Sequence, residues 1–252
     1  MILDPLFYLV AIPAVLLVGI SKGGFGGGLG MLAVPALALV IDPFTAASIM
    51  LPILCVMDLF SIYQFRGKAD WYNLKILVGA AIIGIVIGTF TFHYLNDNQI
   101  KLLVGALALA FVANTLFKPN TEAKPPSVIR GGIFGAIAGF ASFGVHAGGP
   151  PVNMYLLPLK LNKTVFVGTT VFFFTSVNFI KVVPYTLLGQ FDTANLTTAL
   201  VLMPMAPMGV YLGKRLHNIL SEALFYKVCY VLLALSGFKL VFDAIRGMLN
   251  HG

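Results

Sequence analysis

The sequence predicts an all-α polytopic membrane protein, and three observations lead to that fold class. Of its 252 residues, 59% are hydrophobic and only 10% are charged, whereas a soluble domain carries about 25% charged residues. The mean hydropathy is +0.94. Apolar runs at 76–92, 102–117 and 196–212 can each cross most of a bilayer core.

Ten apolar segments follow one another, and the charge of their connections alternates. The segments lie at 5–21, 26–41, 44–65, 73–93, 99–117, 131–143, 150–159, 165–188, 195–213 and 223–246. Every second connection is basic, and these connections hold Arg66, Lys68, Lys75, Lys118, Lys124, Arg130, Lys160, Lys163, Lys214, Arg215 and Lys227. Cytoplasmic loops retain basic residues, so this set is predicted to be cytoplasmic and both termini periplasmic. The net charge of +7 is explained this way, and no nucleic-acid partner is predicted.

Two glycine-rich interruptions stand out, SKGGFGGGLG at 21–30 and ASFGVHAGGPP at 141–151. Paired interruptions, one in each half, are typical of the central binding site of a transporter. Segments 131–143 and 150–159 would reach only about 20 and 15 Å as helices, so they are predicted to form a re-entrant hairpin. The corresponding arms in the first half are longer, so both a hairpin and a full crossing stay open there.

The two halves resemble each other, which predicts an inverted repeat. Phe25-Gly26 matches Phe143-Gly144, and Gly67 and Asp70 match Gly189 and Asp192. Each half would be one glycine-rich hairpin plus three full spans, giving eight to ten membrane segments, and the odd number of crossings inverts the second half. The predicted division is a first repeat at 1–118, a linker at 119–129 and a second repeat at 130–252.

The hairpin tips predict an anion site, because helix N-termini present unpaired N–H groups and a partial positive charge. The predicted substrate-binding residues are Ser21, Lys22, Gly23, Gly24, Gly26, Gly27, Gly28, Ser142, His146, Gly148, Gly149 and Asn153. The alternative is that the glycines serve close helix packing and that His146 is a structural residue.

Three polar residues within spans are predicted to serve coupling or the substrate pathway: Asp58, Asn178 and Lys181. Ionisable groups at this depth are costly and usually face a cavity or a partner. Asp58 could pair with Lys181 or bind a coupling proton, and Lys181 could alternatively extend to the membrane surface. Cys55 and Cys229 are interpreted as packing residues, and no cluster has metal-ligand spacing. Neither a metal nor a cofactor is predicted.

These motifs resemble the sulfite exporter family of the TauE/SafE type. The resemblance rests on SKGGFGGGLGMLAVPALAL at 21–39, FRGKADW at 65–71, AGGPPVNMYLLPLKLNK at 147–163, FVGTTVFFFTSVNFIKVVPY at 166–185 and LGQFD at 188–192. It covers nearly the whole chain and implies export of sulfite or organosulfonates across the bacterial inner membrane. The second block departs from the family pattern at 145–147, where glycine is more common.

The sequence therefore predicts a secondary transporter rather than an enzyme, which moves a small anion by alternating access. Without a nucleotide-binding GxxxxGK[ST] motif, protons or the membrane potential would drive it. Two alternatives stay open: a passive anion channel, and an intramembrane serine hydrolase built on Ser142 and His146. A homodimer is also compatible with the sequence.

Overall fold

The computed structural model describes residues 1–26, 33–37, 40–41, 43–91, 97–117 and 123–250. Within these ranges the chain is helical and contains no strand. The helices are α1 (Pro5–Gly24), α2 (Ala33–Leu37), α3 (Pro43–Gln64), α4 (Trp71–Thr91), α5 (Asp97–Phe117), α6 (Val128–Val145), α7 (Gly149–Leu156), α8 (Lys163–Leu187), α9 (Thr193–Leu202), α10 (Met205–Ile219) and α11 (Glu222–Asn250).

Five of the described helices, α1, α3, α4, α8 and α11, are long and apolar enough to cross a membrane. The bent pair of α9 and α10 makes a sixth when it is counted as one span. The prediction of an all-α, multi-pass membrane protein is confirmed.

Polar side chains cap the starts of α6 and α9. Ser127 Oγ accepts from the Arg130 N–H at 3.3 Å before α6, and Asp192 Oδ1 accepts from the Asn195 N–H at 2.7 Å before α9.

The second glycine-rich interruption divides two helices of unequal length. The sequence predicted arms of 13 and 10 residues, but the first arm, α6, has 18 residues because Ser127 starts it early and it continues to Val145. The second arm, α7, has eight residues and is extended by a 3₁₀ turn at Leu157–Leu159. Eight helical residues rise about 12 Å, so α7 by itself cannot cross a bilayer.

The predicted span at 195–213 is bent. The sequence predicted a continuous segment at 195–213, whereas α9 and α10 meet at an angle of 42°. Pro204 stands at the start of α10 and has no N–H with which to continue the hydrogen bonding of α9. Its ring therefore accounts for the break.

Three helix pairs pack through glycine, where the missing side chain lets two backbones approach. These pairs are α1 with α10, α4 with α6, and α5 with α11. A Cβ atom at Gly19 would lie 2.8 Å from the Cα atom of Gly209, and one at Gly105 would lie 2.8 Å from the carbonyl oxygen of Gly237. Helices α3 and α8 contact each other and are the most deeply buried of the candidate spans.

We expect Gly84→Ala to destabilise the protein, because a Cβ atom at Gly84 would overlap the carbonyl oxygen of Ala136 on α6. Overpacking of this kind costs about 1–3 kcal/mol. Gly79→Ala is the matched control on the same helix, because a Cβ atom there meets nothing within 4 Å. Thermal unfolding in detergent measures both variants, and equal melting temperatures would contradict the packing argument.

Candidate functional site

The first elbow is the last turn of α1 together with Phe25 and Gly26. Phe25 N–H donates to the Ser21 carbonyl at 2.8 Å, and Gly26 then adopts a left-handed conformation with φ 69°. Such a residue commonly terminates a helix, and glycine adopts it without strain. A Cβ atom at Gly26 would lie 2.5 Å from Thr170 Oγ1, so the elbow is pressed against α8. Ser21 and Lys22 are buried in the last turn of α1.

Two glycines of this elbow that were predicted to bind substrate lie against α10. A Cβ atom at Gly23 would overlap the carbonyl oxygen of Val210, and one at Gly24 would lie 2.5 Å from that of Gly213. Both glycines therefore face the backbone of α10, as expected of close helix packing. Gly27 and Gly28 lie outside the described residues.

The second elbow lies between α6 and α7. His146 terminates α6 in a left-handed conformation with φ 53°, and α7 begins at Gly149, followed by Pro150 and Pro151. A Cβ atom at Gly148 would lie 3.0 Å from the Ser142 Cβ and 3.2 Å from Phe174 Cε1. This elbow is therefore also pressed against α8.

Asp58 joins the first elbow to α8. Its Oδ1 forms an ion pair with Lys22 Nζ, and its Oδ2 accepts from Asn178 Nδ2 at 2.7 Å. Lys22 Nζ also donates to the Leu54 carbonyl at 3.4 Å. The predicted pairing of Asp58 with Lys181 is not the one formed, because Lys22 occupies the carboxylate and Lys181 has other partners.

Lys181 joins α8 to the second elbow. Its Nζ donates to the carbonyl oxygen and the Oγ of Ser142 at 2.9 and 3.0 Å, and it lies 2.8 Å from His146 Nδ1. His146 Nε2 lies 3.2 Å from the Ala47 carbonyl on α3. Lys181 is fully buried, so it does not extend to the membrane surface.

Six of the eight predicted polar side chains are thus brought together in one chain of contacts, which we call the central polar network; Ser21 and Asn153 are not among the residues that define it. It runs from the first elbow to the second through α3 and α8. Its members are Lys22, Asp58, Asn178, Lys181, Ser142 and His146. One helical turn of α8 connects Asn178 to Lys181.

The contacts of His146 determine how charge is shared in the network. The Ala47 carbonyl can only accept, so Nε2 carries a hydrogen. The 2.8 Å contact between Nδ1 and Lys181 Nζ then needs one hydrogen between the two nitrogens, so the pair carries at most one positive charge, and it carries one when Lys181 is an ammonium. Because Lys22 and Asp58 neutralise each other, the described members of the network then carry one net positive charge.

Three buried oxygen atoms near these elements have no hydrogen-bond partner among the described residues. They are Asn153 Oδ1 on α7, and Ser61 Oγ and Gln64 Oε1 on α3. Asn153 was predicted from the sequence, whereas Ser61 and Gln64 were missed. The signal for them was their spacing, because they follow Asp58 at successive intervals of three residues along one row of the helix.

The comparison with protein families decides what kind of protein holds this network. The model described as Sulfite exporter TauE/SafE matches residues 11–240, nearly the whole chain. The chain belongs to the sulfite exporter TauE/SafE family. No curated protein and no solved structure matches it.

Membership of the sulfite exporter TauE/SafE family confirms the resemblance on which the sequence interpretation relied. The family is one of transporters, and transport of a sulfur anion across a membrane is the function that it implies. Among the described residues, no group of three or more His, Cys, Asp or Glu side chains could hold a metal ion.

Proposed function

We propose that this TauE/SafE protein is a secondary transporter for a small anion of the sulfite or organosulfonate class, working by alternating access around the central polar network. The observation that carries the proposal is the fully buried Lys181 between the two elbows, whose contacts among the described residues bring no negative charge. A buried charge without a counter-ion is costly in a protein. An anionic substrate would supply the counter-ion.

The start of α7 supports the same site. Gly149, the first residue of this helix, lies three residues after His146, and this end of the helix carries the partial positive charge of the helix dipole. Pro150 and Pro151 have no N–H, which leaves the N–H groups of Gly148 and Gly149 as donors near the tip. The buried Asn153 lies one turn further along α7.

Recurring backbone details support two related halves. Gly26 and His146 both end a helix in the left-handed conformation. The Val40 N–H donates to the Leu37 carbonyl at 3.0 Å, and the Lys160 N–H donates to the Leu157 carbonyl at 3.2 Å. Asp58 bonds to Asn178. In each case the residue of the first half lies 120 positions before its counterpart in the second.

The connections after α3 and α8 extend this correspondence. Segments 67–73 and 189–195 share the pattern Gly-x-x-Asp-x-x-Asn. In both, the glycine has a positive φ, 72° and 68°. The aspartate Oδ1 accepts from the asparagine N–H at 3.1 Å in the first and 2.7 Å in the second. Two copies of one unit, inserted in opposite orientations, would place the two elbows on either side of a common centre.

The basic connections support the proposed orientation in the bacterial inner membrane, with periplasmic termini. Lys163 Nζ donates to the carbonyls of His217 at 2.9 Å and Leu220 at 2.5 Å. A Cβ atom at Gly168 would overlap the carbonyl oxygen of Lys68. These basic connections therefore share one end of the helix bundle, which the positive-inside rule assigns to the cytoplasm.

The hydrolase alternative gains no support from the site. It requires His146 to accept a proton from Ser142, whereas the imidazole Nδ1 faces Lys181. Ser142 Oγ accepts from Lys181, and an ammonium group cannot act as a general base.

Flux measurements in proteoliposomes test the proposal. We expect saturable transport of at least one anion from a panel of sulfite, thiosulfate, sulfate and sulfoacetate, tested beside the zwitterion taurine, and we expect an imposed membrane potential to accelerate it. Protein-free liposomes are the control. Currents that rise linearly without saturation would instead identify a channel, and no flux of any member of the panel would overturn the proposed function.

A further inference from the structure

We infer that the site takes one negative charge, so that it selects monoanions over dianions of the same shape, and that Asp58 sets this selectivity by neutralising Lys22. The inference rests on the proposed function and names the charge class of its substrate. Hydrogensulfite and alkanesulfonates belong to the favoured class, and sulfate and fully ionised sulfite to the disfavoured one.

Asp58 is the counter-ion that the protein itself provides for Lys22. Only 1% of its surface is exposed, and both carboxylate oxygens are occupied, one by Lys22 Nζ and the other by Asn178 Nδ2. Lys22 therefore has an internal anion at hydrogen-bond distance. A substrate would have to displace this carboxylate before it could use the charge of Lys22.

Lys181 has no such counter-ion among the described residues. Its contacts are the carbonyl oxygen and Oγ of Ser142 and the imidazole of His146, which together bring no negative charge. The charged side chains and the imidazole that form these contacts come from four helices: Lys22 from α1, Asp58 from α3, His146 from α6 and Lys181 from α8. The thiol of Cys55 on α3 also interacts with Lys22, Asp58 and Lys181. With Lys181 as an ammonium and the thiol neutral, one positive charge is left to be balanced.

A monoanion beside Lys181 would bring the buried network to neutrality. A dianion would leave one negative charge buried with Asp58 nearby, and the interior of a protein screens such repulsion poorly. The network therefore distinguishes ligands by charge even where their size and hydrogen-bonding oxygens are similar. Removing the negative charge of Asp58 would raise the network to two positive charges and favour the dianion.

Methanesulfonate and sulfate are suitable probes, since both are small tetrahedral sulfur anions and their charges are one and two near neutral pH. We would measure competition by each against transport in liposomes of the purified full chain. Three proteins are compared: the wild type, Asp58→Asn, and the double variant Lys22→Gln/Asp58→Asn, whose network charge returns to that of the wild type.

We expect the wild type to prefer methanesulfonate. Asp58→Asn should shift the preference toward sulfate by about 5- to 150-fold, the usual range of coupling between two sites, and the double variant should restore the preference for methanesulfonate. A wild type that prefers sulfate, or a ratio unchanged by Asp58→Asn, would overturn the inference. If Asp58→Asn does not fold, Lys22→Gln takes its place in the comparison. The network of Lys22→Gln carries no net charge, so this variant should lose more affinity for sulfate than for methanesulfonate. An equal loss for both anions would overturn the inference.

The outcomes separate this inference from the proposed function. A wild-type protein that transports no sulfur anion would contradict the function itself. Transport of both probes with a preference that does not follow the charge of the network would contradict only the charge selectivity.

Discussion

Replacing Lys181 with glutamine is expected to abolish anion transport. The substitution keeps a side chain that can donate to Ser142 but removes the one positive charge that has no counter-ion in the described network. In the proposed complex, Lys181 and the bound anion form a buried charge pair. Removing one member of such a pair costs about 2–5 kcal/mol, which corresponds to a loss of roughly 30-fold or more in substrate affinity. Initial rates of flux in proteoliposomes measure the effect.

Lys239→Gln provides the matched control for this experiment. Lys239 is also a lysine in a membrane-spanning helix, but it is partly exposed on α11 and pairs with Asp243 one turn away. We expect its rate to stay within about twofold of the wild type, because Lys239 pairs with Asp243 on α11 and makes none of the contacts of the central polar network. Wild-type transport by the Lys181 variant would exclude Lys181 from the binding site.

Asp58→Ala is expected to destabilise the fold more than any surface substitution. It leaves the Lys22 ammonium buried without its carboxylate, and breaking a buried ion pair in this way costs about 3–5 kcal/mol. The double variant Lys22→Ala/Asp58→Ala should recover part of that loss, because neither charge is then left alone. Unfolding in detergent, followed by circular dichroism, gives the free energies.

Lys239→Ala/Asp243→Ala is the control for stability, since it removes a partly exposed lysine–aspartate pair without leaving either charge alone in the membrane, and it should cost less than Asp58→Ala. If the effects of Lys22→Ala and Asp58→Ala were simply additive, the two residues would not be coupled, and the ion pair would have no role in stability.

Much of the fold could be predicted because hydrophobicity identifies membrane segments directly. The predicted segments at 44–65, 73–93 and 165–188 agree closely with α3, α4 and α8. The end of α6 was also visible, because a glycine-rich stretch followed by two prolines interrupts a helix and then starts a new one. The bend between α9 and α10 was missed because Pro204 lies within an unbroken apolar run.

The composition of the polar network could be predicted, but its pairing could not. Burial of Asp58, Asn178 and Lys181 follows from the cost of polar groups in a membrane. Which lysine reaches Asp58 depends on how the helices pack, and hydrophobicity carries no such information. The same applies to Gly23 and Gly24, where only the position of α10 distinguishes a packing glycine from one that faces a ligand.

The pairing of α1 with α10 has a consequence for how the chain is assembled. The ribosome makes α1 well before α10, the helix that covers its glycine-lined face and that is the tenth of the eleven described helices. In the proposed division, α6 is the leading helix of the second half, and it packs against α4 of the first half. Neither half contains the partner of its own leading helix. We therefore expect the two halves to mature only together, with the early helices held in the lipid or by the insertion machinery until the late ones arrive.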